Sequence, residues 1–179
     1  MPLLEVKKYT YEDLSSLPEG NYEIINGEKI EMTPTKFRHG KFEGIFFELL
    51  KKHLSHKGYV AVGEVGIIIS KEPLRLRAAD VVYVSKETSP DEPAGMLEIP
   101  PDLIIEIISE DNTASYLNEK VKDYLSIGVK TVVLVDPSTE TVIIFKHGSK
   151  AEYYNFDEEV ELIDGVSIRL KELLQESKS

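Results

Sequence analysis

Short apolar runs separated by turn residues recur along most of the chain. They are rich in Val, Ile and Tyr and bounded by Gly, Pro, Asp or Asn, which is typical of β-strands. These runs occupy residues 59–70, 74–85, 101–110, 131–136 and 141–146. A further hairpin is predicted over residues 22–32, because Asn26 and Gly27 lie between two strand-like halves.

Two longer segments, residues 37–56 and 114–127, repeat their apolar residues with the period of an α-helix. We expect Gly58 and Gly128 to terminate them. The predicted inward-facing residues are Phe42, Ile45, Phe46, Leu49 and His53 in the first helix, and Leu117, Val121, Tyr124 and Leu125 in the second. This order of strands and helices predicts an α/β (α+β) fold, with a mixed central sheet flanked by helices. We expect residues 1–179 to form a single domain.

Composition narrows the class of protein. Of the 179 residues, 41% are hydrophobic and 30% are charged, which is ordinary for a globular protein. The chain has no cysteine, so a metal site would use oxygen and nitrogen ligands. No apolar run approaches the roughly 20 residues that span a bilayer, and the N-terminus has no signal-peptide pattern. We therefore expect a cytoplasmic protein without a membrane partner.

The net charge of −11 opposes non-specific binding of nucleic acid, because phosphates are repelled by an acidic surface. It leaves room for a local basic strip or for an acidic site filled by a metal ion. Any nucleic-acid function has to overcome this repulsion.

One carboxylate interrupts the most apolar strand. Between Pro101 and Glu110, side chains alternate between two largely apolar faces, and Glu106 stands in the middle of one of them. Such a pattern predicts an interior strand. An ionised carboxylate there is costly unless it is paired or bound to a metal. Two explanations stay open, a Lys or Arg partner within the fold and a metal ion.

Two further acidic residues occupy comparable positions. Asp80 opens an apolar run in the strand over residues 74–85, and Glu23 lies inside the first hairpin. Adjacent strands can bring such carboxylates together, and their repulsion then requires a proton or a cation. Mg²⁺ needs only one or two carboxylates besides water and phosphate. The set is therefore compatible with metal-assisted phosphoryl chemistry.

Two basic residues border these strands. Lys120 lies at the edge of the inward face of the helix that follows the Glu106 strand, so it can approach the end of that strand. There it would stabilise charge on a pentacoordinate phosphate. His39 begins the apolar stripe of the first helix. Both residues also have ordinary explanations, since a border lysine commonly extends to solvent and a His at a helix end is commonly just hydrogen-bonded.

The order of several motifs resembles a known family. These motifs are YEIINGEKIEM, a His at the start of a long helix, RAADVVYV, PPDLIIEIIS, EKVKDYLSIGV and VVLVDP. Together they resemble a bacterial family of restriction endonucleases within the PD-(D/E)XK nuclease-like superfamily, over residues from about 9 to about 147. The resemblance implies a restriction-endonuclease-like core that binds Mg²⁺ or Mn²⁺.

The resemblance also assigns roles to residues. Asp80 and Glu106 match the acidic motif positions that bind the metal, together with the backbone carbonyl of Ile107. Glu23 matches the acidic residue of the first hairpin, and His39 matches the His at the helix start. Lys120 matches the catalytic lysine, which this family supplies from the helix after the Glu106 strand.

Three departures from the family pattern accompany these matches. Ala79 replaces the Pro before Asp80, and Ile108 stands where the superfamily lysine follows the acidic residue. Tyr116 stands four residues before Lys120, where relatives often carry Asp.

The resemblance implies a metal-dependent endonuclease that hydrolyses DNA phosphodiesters as a homodimer. The alternative is a catalytically inactive module on the same fold that binds a partner or associates with itself, and the net charge and Tyr116 favour it.

Overall fold

A mixed β-sheet dominates the structure, a computed structural model that describes residues 6–178. Its ten strands are β1 (Tyr22–Ile25), β2 (Glu28–Glu31), β3 (Gly58–Lys71), β4 (Leu74–Ser85), β5 (Leu103–Ile107), β6 (Thr131–Asp136), β7 (Thr141–Lys146), β8 (Glu152–Asn155), β9 (Val160–Ile163) and β10 (Val166–Ile168). The helices are α1 (Phe37–Leu54), α2 (Ala114–Ser126) and α3 (Leu170–Glu176), preceded by a 3-10 helix over Tyr11–Ser16. None of the helices in this range is long and apolar enough to cross a membrane.

Eight strands form the central sheet in the order β2-β1-β4-β5-β6-β7-β8, and β3 pairs with β4 outside this path. Neighbouring strands are antiparallel except β5 and β6, which α2 connects as a parallel crossover. β9 and β10 form a separate two-stranded sheet. The predicted mixed sheet flanked by helices is thus confirmed.

The two faces of the sheet carry separate cores. On one face, Phe42 and Phe46 of α1 pack with Leu103 and Ile105 of β5 and with residues of β9, β10 and α3. On the other face, Val121 and Tyr124 of α2 pack against Ile104 and its neighbours. Each β5 residue is buried, as expected for an interior strand.

Two expectations for the first helix are wrong. His53 is exposed, because the buried stripe ends on Leu49, Leu50 and Leu54 instead. Gly58 does not terminate the helix, which ends at Leu54, but begins β3. The hairpin predicted over residues 22–32 is confirmed, and the turn between β1 and β2 places Asn26 and Gly27 at positive φ values of 52° and 80°.

Candidate active site

An opening along one edge of β4 creates the site. β1 pairs with β4 at Ile24–Leu76, and β5 pairs with the same edge of β4 at Val81–Ile105. Between these pairs, carboxylates replace strand-to-strand hydrogen bonds. Backbone N–H groups of open strands must find acceptors, and here two of them donate to carboxylate oxygens.

Glu23 and Asp80 supply these acceptors. Glu23 Oε1 accepts from the Ala78 N–H at 3.2 Å, and Asp80 Oδ2 accepts from the Ile107 N–H at 2.7 Å. Both side chains face a cleft of about 410 Å³, which is also lined by Glu106 and Lys120. The cleft is closed on one side by the segment between β2 and α1, and on the other by the segment between β5 and α2.

An acidic cluster surrounds Asp80 on the α1 side. His39 Nε2 lies 3.2 Å from Asp80 Oδ2 and 3.4 Å from Glu43 Oε1, one helical turn further along α1. Glu64 of β3 completes the group, and one ligand atom from each of the four residues lies within 4.8 Å of the others. Three carboxylates and an imidazole therefore converge on one small volume.

Glu64 reaches this cluster through an irregularity in β3. The pairing of β3 with β4 shifts between Val62 and Val65, and both Gly63 and Glu64 have positive φ, at 95° and 58°. The left-handed region is unfavourable for a residue with a Cβ atom. β-bulges that redirect a side chain in this way are common next to active sites.

Three buried polar atoms of the cluster, His39 Nε2, Glu43 Oε1 and Glu64 Oε2, make no hydrogen bond within residues 6–178. His39 Nε2 has only the ion-pair contacts with Asp80 and Glu43 given above. Burial raises the pKa of Glu64 to about 7, and nearby Asp80 adds to this effect. Burial lowers the pKa of His39, but contacts with Asp80 and Glu43 outweigh it and raise the pKa to about 10.

These donors fit a divalent cation. Unpartnered buried polar atoms are rare in proteins and call for an explanation such as an ion. Carboxylate oxygens suit Mg²⁺, and a mixed oxygen and imidazole set also suits Mn²⁺. Because only the neutral imidazole is a ligand, His39 would release its proton on binding the metal. A cation here would offset the repulsion between the carboxylates.

Glu106 has two protein partners on the α2 side. Lys120 Nζ lies 2.8 Å from Glu106 Oε2, and the Tyr124 hydroxyl donates to Oε1 at 2.7 Å. Burial raises the pKa of Glu106, and the Lys120 ammonium opposes this rise. Burial alone would lower the pKa of Lys120, but Glu106 and Glu23 hold it above its usual value. The lysine partner foreseen for Glu106 is thus the predicted catalytic lysine itself.

Glu23 is enclosed by donors. Besides Ala78, it accepts from Arg77 Nη1 at 2.7 Å and from the Tyr116 hydroxyl at 3.1 Å, and Lys120 Nζ lies 3.4 Å from Oε1. Tyr116, a departure from the family pattern, therefore contributes a hydrogen bond to this buried carboxylate. The surroundings of Glu23 are those of a structural anion.

The five side chains singled out from sequence all lie at the cleft, as does Ile107. Asp80 lies in the cluster with His39, whereas Glu106 and Glu23 contact Lys120. Ile107 donates its N–H to Asp80, and the metal-binding role of its carbonyl stays a prediction. The assigned roles of the other residues also stay predictions.

Sequence reasoning missed four neighbouring residues, Glu43, Glu64, Arg77 and Tyr124. Two had a usable signal. Glu43 follows His39 by one helical turn, and Glu64 is the one charged residue in the run over residues 59–70. Arg77 and Tyr124 looked like ordinary strand and core residues.

Comparisons with known proteins identify the family and the fold. Residues 9–172 match the model of the Uma2 family, described as "Putative restriction endonuclease". No curated protein matches the chain. Among solved structures, a "putative nuclease belonging to DUF820" from Anabaena variabilis superposes with a TM-score of 0.81 at 19% identity, over 93% of this chain and 97% of that chain. At this identity the superposition shows a shared fold. Because the family model spans most of the sequence, the chain belongs to the Uma2 family of restriction-endonuclease-like proteins.

Proposed function

We propose that this protein is a divalent-metal-dependent endonuclease that hydrolyses DNA phosphodiester bonds in the cleft on β4. The observation that carries the proposal is the convergence of Asp80, Glu43, Glu64 and His39 within 4.8 Å, in the same cleft as the Lys120–Glu106 pair. Membership of a restriction-endonuclease-like family supports nuclease chemistry.

Asp80 is the proposed central metal ligand, with Glu43, Glu64 and His39 beside it. Glu106 and the Ile107 carbonyl are the ligands that the sequence motif implies on the other side of Asp80. When bound, Mg²⁺ or Mn²⁺ supplies Lewis-acid polarisation of the phosphate and neutralises charge in the acidic site.

Lys120 is proposed to stabilise the transition state. As a water oxygen bonds to phosphorus and the bond to the leaving oxygen breaks, negative charge gathers on the non-bridging phosphate oxygens. An ammonium group held in a poorly solvated cleft stabilises that charge strongly. The surroundings of Glu23 support a role in holding Lys120 rather than in binding metal.

Cleavage of supercoiled plasmid tests the proposal. Wild-type protein with Mg²⁺ or Mn²⁺ is compared with Glu106→Gln and with Glu98→Gln, whose carboxylate lies outside the cleft and contacts Lys71. We expect the wild type and the Glu98→Gln control to nick or linearise the plasmid and Glu106→Gln to be inactive. Equal cleavage by all three proteins would refute the assigned site.

One observation favours the alternative, a binding module without activity. Both oxygens of Glu106 are already engaged by Lys120 and Tyr124 within the protein. If the protein is such a module and binds no metal in the cleft, Mg²⁺ or Mn²⁺ will leave the melting temperature unchanged. The nuclease proposal instead expects the metal to raise it, because a ligand that binds the folded state stabilises it.

A further inference from the structure

A chain of four buried or partly buried charges links α2 to the sheet beneath it. Lys120 and Asp123 lie one turn apart on α2, Glu23 lies on β1, and Arg77 lies on β4. Arg77 Nη1 is 2.7 Å from Glu23 Oε2, and Arg77 Nε is 2.6 Å from Asp123 Oδ2. Lys120 ends the chain at 3.4 Å from Glu23.

Arg77 is the buried residue that joins two of these charged groups. Its side chain is 1% exposed, and its planar guanidinium spans two carboxylates on different elements. A lysine places its charge at a single point and cannot reproduce this fork. The adjacent Arg75 contacts Asp123 and Glu119, but of the two arginines it is Arg77 that reaches Glu23.

Glu23 and Glu106 compete for Lys120. The ammonium lies 2.8 Å from Glu106 and 3.4 Å from Glu23, so a small rotation of the flexible side chain would exchange the partners. Because Arg77 already neutralises Glu23, the attraction of Lys120 toward Glu23 is weakened. Without Arg77, an unpaired buried carboxylate would draw the ammonium away from Glu106.

We propose that Arg77 is a positioning residue that, by neutralising Glu23, holds the Lys120 ammonium beside Glu106. The proposal rests on the catalytic role of Lys120 proposed above, while the positioning itself is independent of activity. Arg77 acts on the reaction through Lys120 and has no contact with substrate in this account.

Nuclear magnetic resonance of the lysine ammonium groups tests the positioning directly. A buried ammonium exchanges its protons slowly, and the Lys120 signal is assigned by its loss in Lys120→Met. We expect Arg77→Met to shift or broaden that signal and the matched control Arg75→Met to leave it in place. An unchanged Lys120 signal in folded Arg77→Met would overturn the proposal.

The kinetics of DNA cleavage by the same variants provide a second test. We expect Arg77→Met to lower kcat by about 10- to 100-fold, since small misplacements of catalytic groups have effects of this size, while KM for DNA stays near the wild-type value. A wild-type kcat in Arg77→Met contradicts the proposal. If the wild type itself does not cleave DNA, the nuclease proposal fails, and the ammonium signal still decides the positioning.

Two further variants guard against loss of folding. Arg77→Lys retains the charge, and we expect it to show a smaller displacement of the Lys120 signal in the same direction. Glu23→Gln with Arg77→Met removes both charges, which restores stability if Arg77 merely compensates a buried anion. Because that double variant lacks the carboxylate that competes for Lys120, we expect it to fold with the Lys120 signal returned toward its wild-type position. A Lys120 signal as displaced as in Arg77→Met alone would overturn the proposal that Arg77 acts through Glu23.

Discussion

At the scale of single residues, each buried carboxylate of this protein has an identifiable reason for its place. Glu106 is held by Lys120 and Tyr124, and Asp102 is held by Ser85, Thr88 and Lys130. The cluster around Asp80 differs, because His39 Nε2, Glu43 Oε1 and Glu64 Oε2 are buried there without a hydrogen bond from the described residues. This difference separates carboxylates that the fold satisfies from those that fit an ion.

The Tyr124 hydroxyl supports Glu106 from within the core. Tyr124 is fully buried, and its hydroxyl donates to Glu106 Oε1 at 2.7 Å. Tyr124→Phe would leave that oxygen without this donor, so we expect a loss of about 1–2 kcal/mol in the free energy of unfolding. Urea denaturation measures it. A variant as stable as the wild type would mean that the hydrogen bond contributes nothing.

Asp102, which lies outside the cleft, is expected to make the stability of the protein depend on pH. Burial would raise the pKa of Asp102, but hydrogen bonds from Lys130 and Ser85 outweigh it and hold the pKa below its usual value. Its contribution is therefore complete above the unfolded-state pKa, about 3.9, and is lost as the pH falls through the lower folded-state pKa.

We expect Asp102→Asn to cost about 1–3 kcal/mol at pH 7 and to flatten the fall of stability in acid. Denaturation of both proteins between pH 7 and pH 3 checks this. Parallel curves over that range would show that Asp102 does not titrate with unfolding.

At the scale of elements, the alternation of apolar and polar residues along the chain predicted the strands and helices and the faces that they bury. The strand around Glu106 was predicted with both faces buried, and the stripes of α1 and α2 emerged from their period. The opening along the edge of β4 could not be predicted from sequence. It arises because β1 and β5 pair with different parts of the same edge of this long strand, and that pairing depends on the tertiary fold. The bulge that brings Glu64 to Asp80 likewise depends on pairing between β3 and β4.

Gly58 illustrates how a local rule can mislead. It was expected to end a helix, whereas a Cβ atom there would collide with the Val84 carbonyl oxygen and the Tyr83 ring. The absence of a side chain at Gly58 allows the backbones of β3 and β4 to approach each other closely. We expect Gly58→Ala to destabilise the protein by about 1–3 kcal/mol through overpacking, measured by thermal denaturation. Gly44→Ala is the control, because a Cβ atom at that helical position meets open space.

At the scale of the whole molecule, charge sets the conditions for any nuclease activity. A net charge of −11 repels DNA, and several of the carboxylates that contribute to it line the cleft. A divalent cation would reduce this repulsion where the phosphate has to bind. The homodimer expected from sequence stays a prediction that light scattering can check, and the edge strand β8 with exposed Tyr153 is one surface available for it.

The most direct test of the central claim is the rate of plasmid cleavage across a titration of Mg²⁺ or Mn²⁺, with wild type and Asp80→Asn prepared in the same way. Lewis-acid stabilisation is worth several kcal/mol, so we expect a wild-type rate that rises with metal and saturates, and an Asp80→Asn rate lower by at least about 100-fold. Chelation of the metal should abolish the wild-type rate. Cleavage that is independent of metal, or equal in the two proteins, would contradict a metal-dependent site at Asp80.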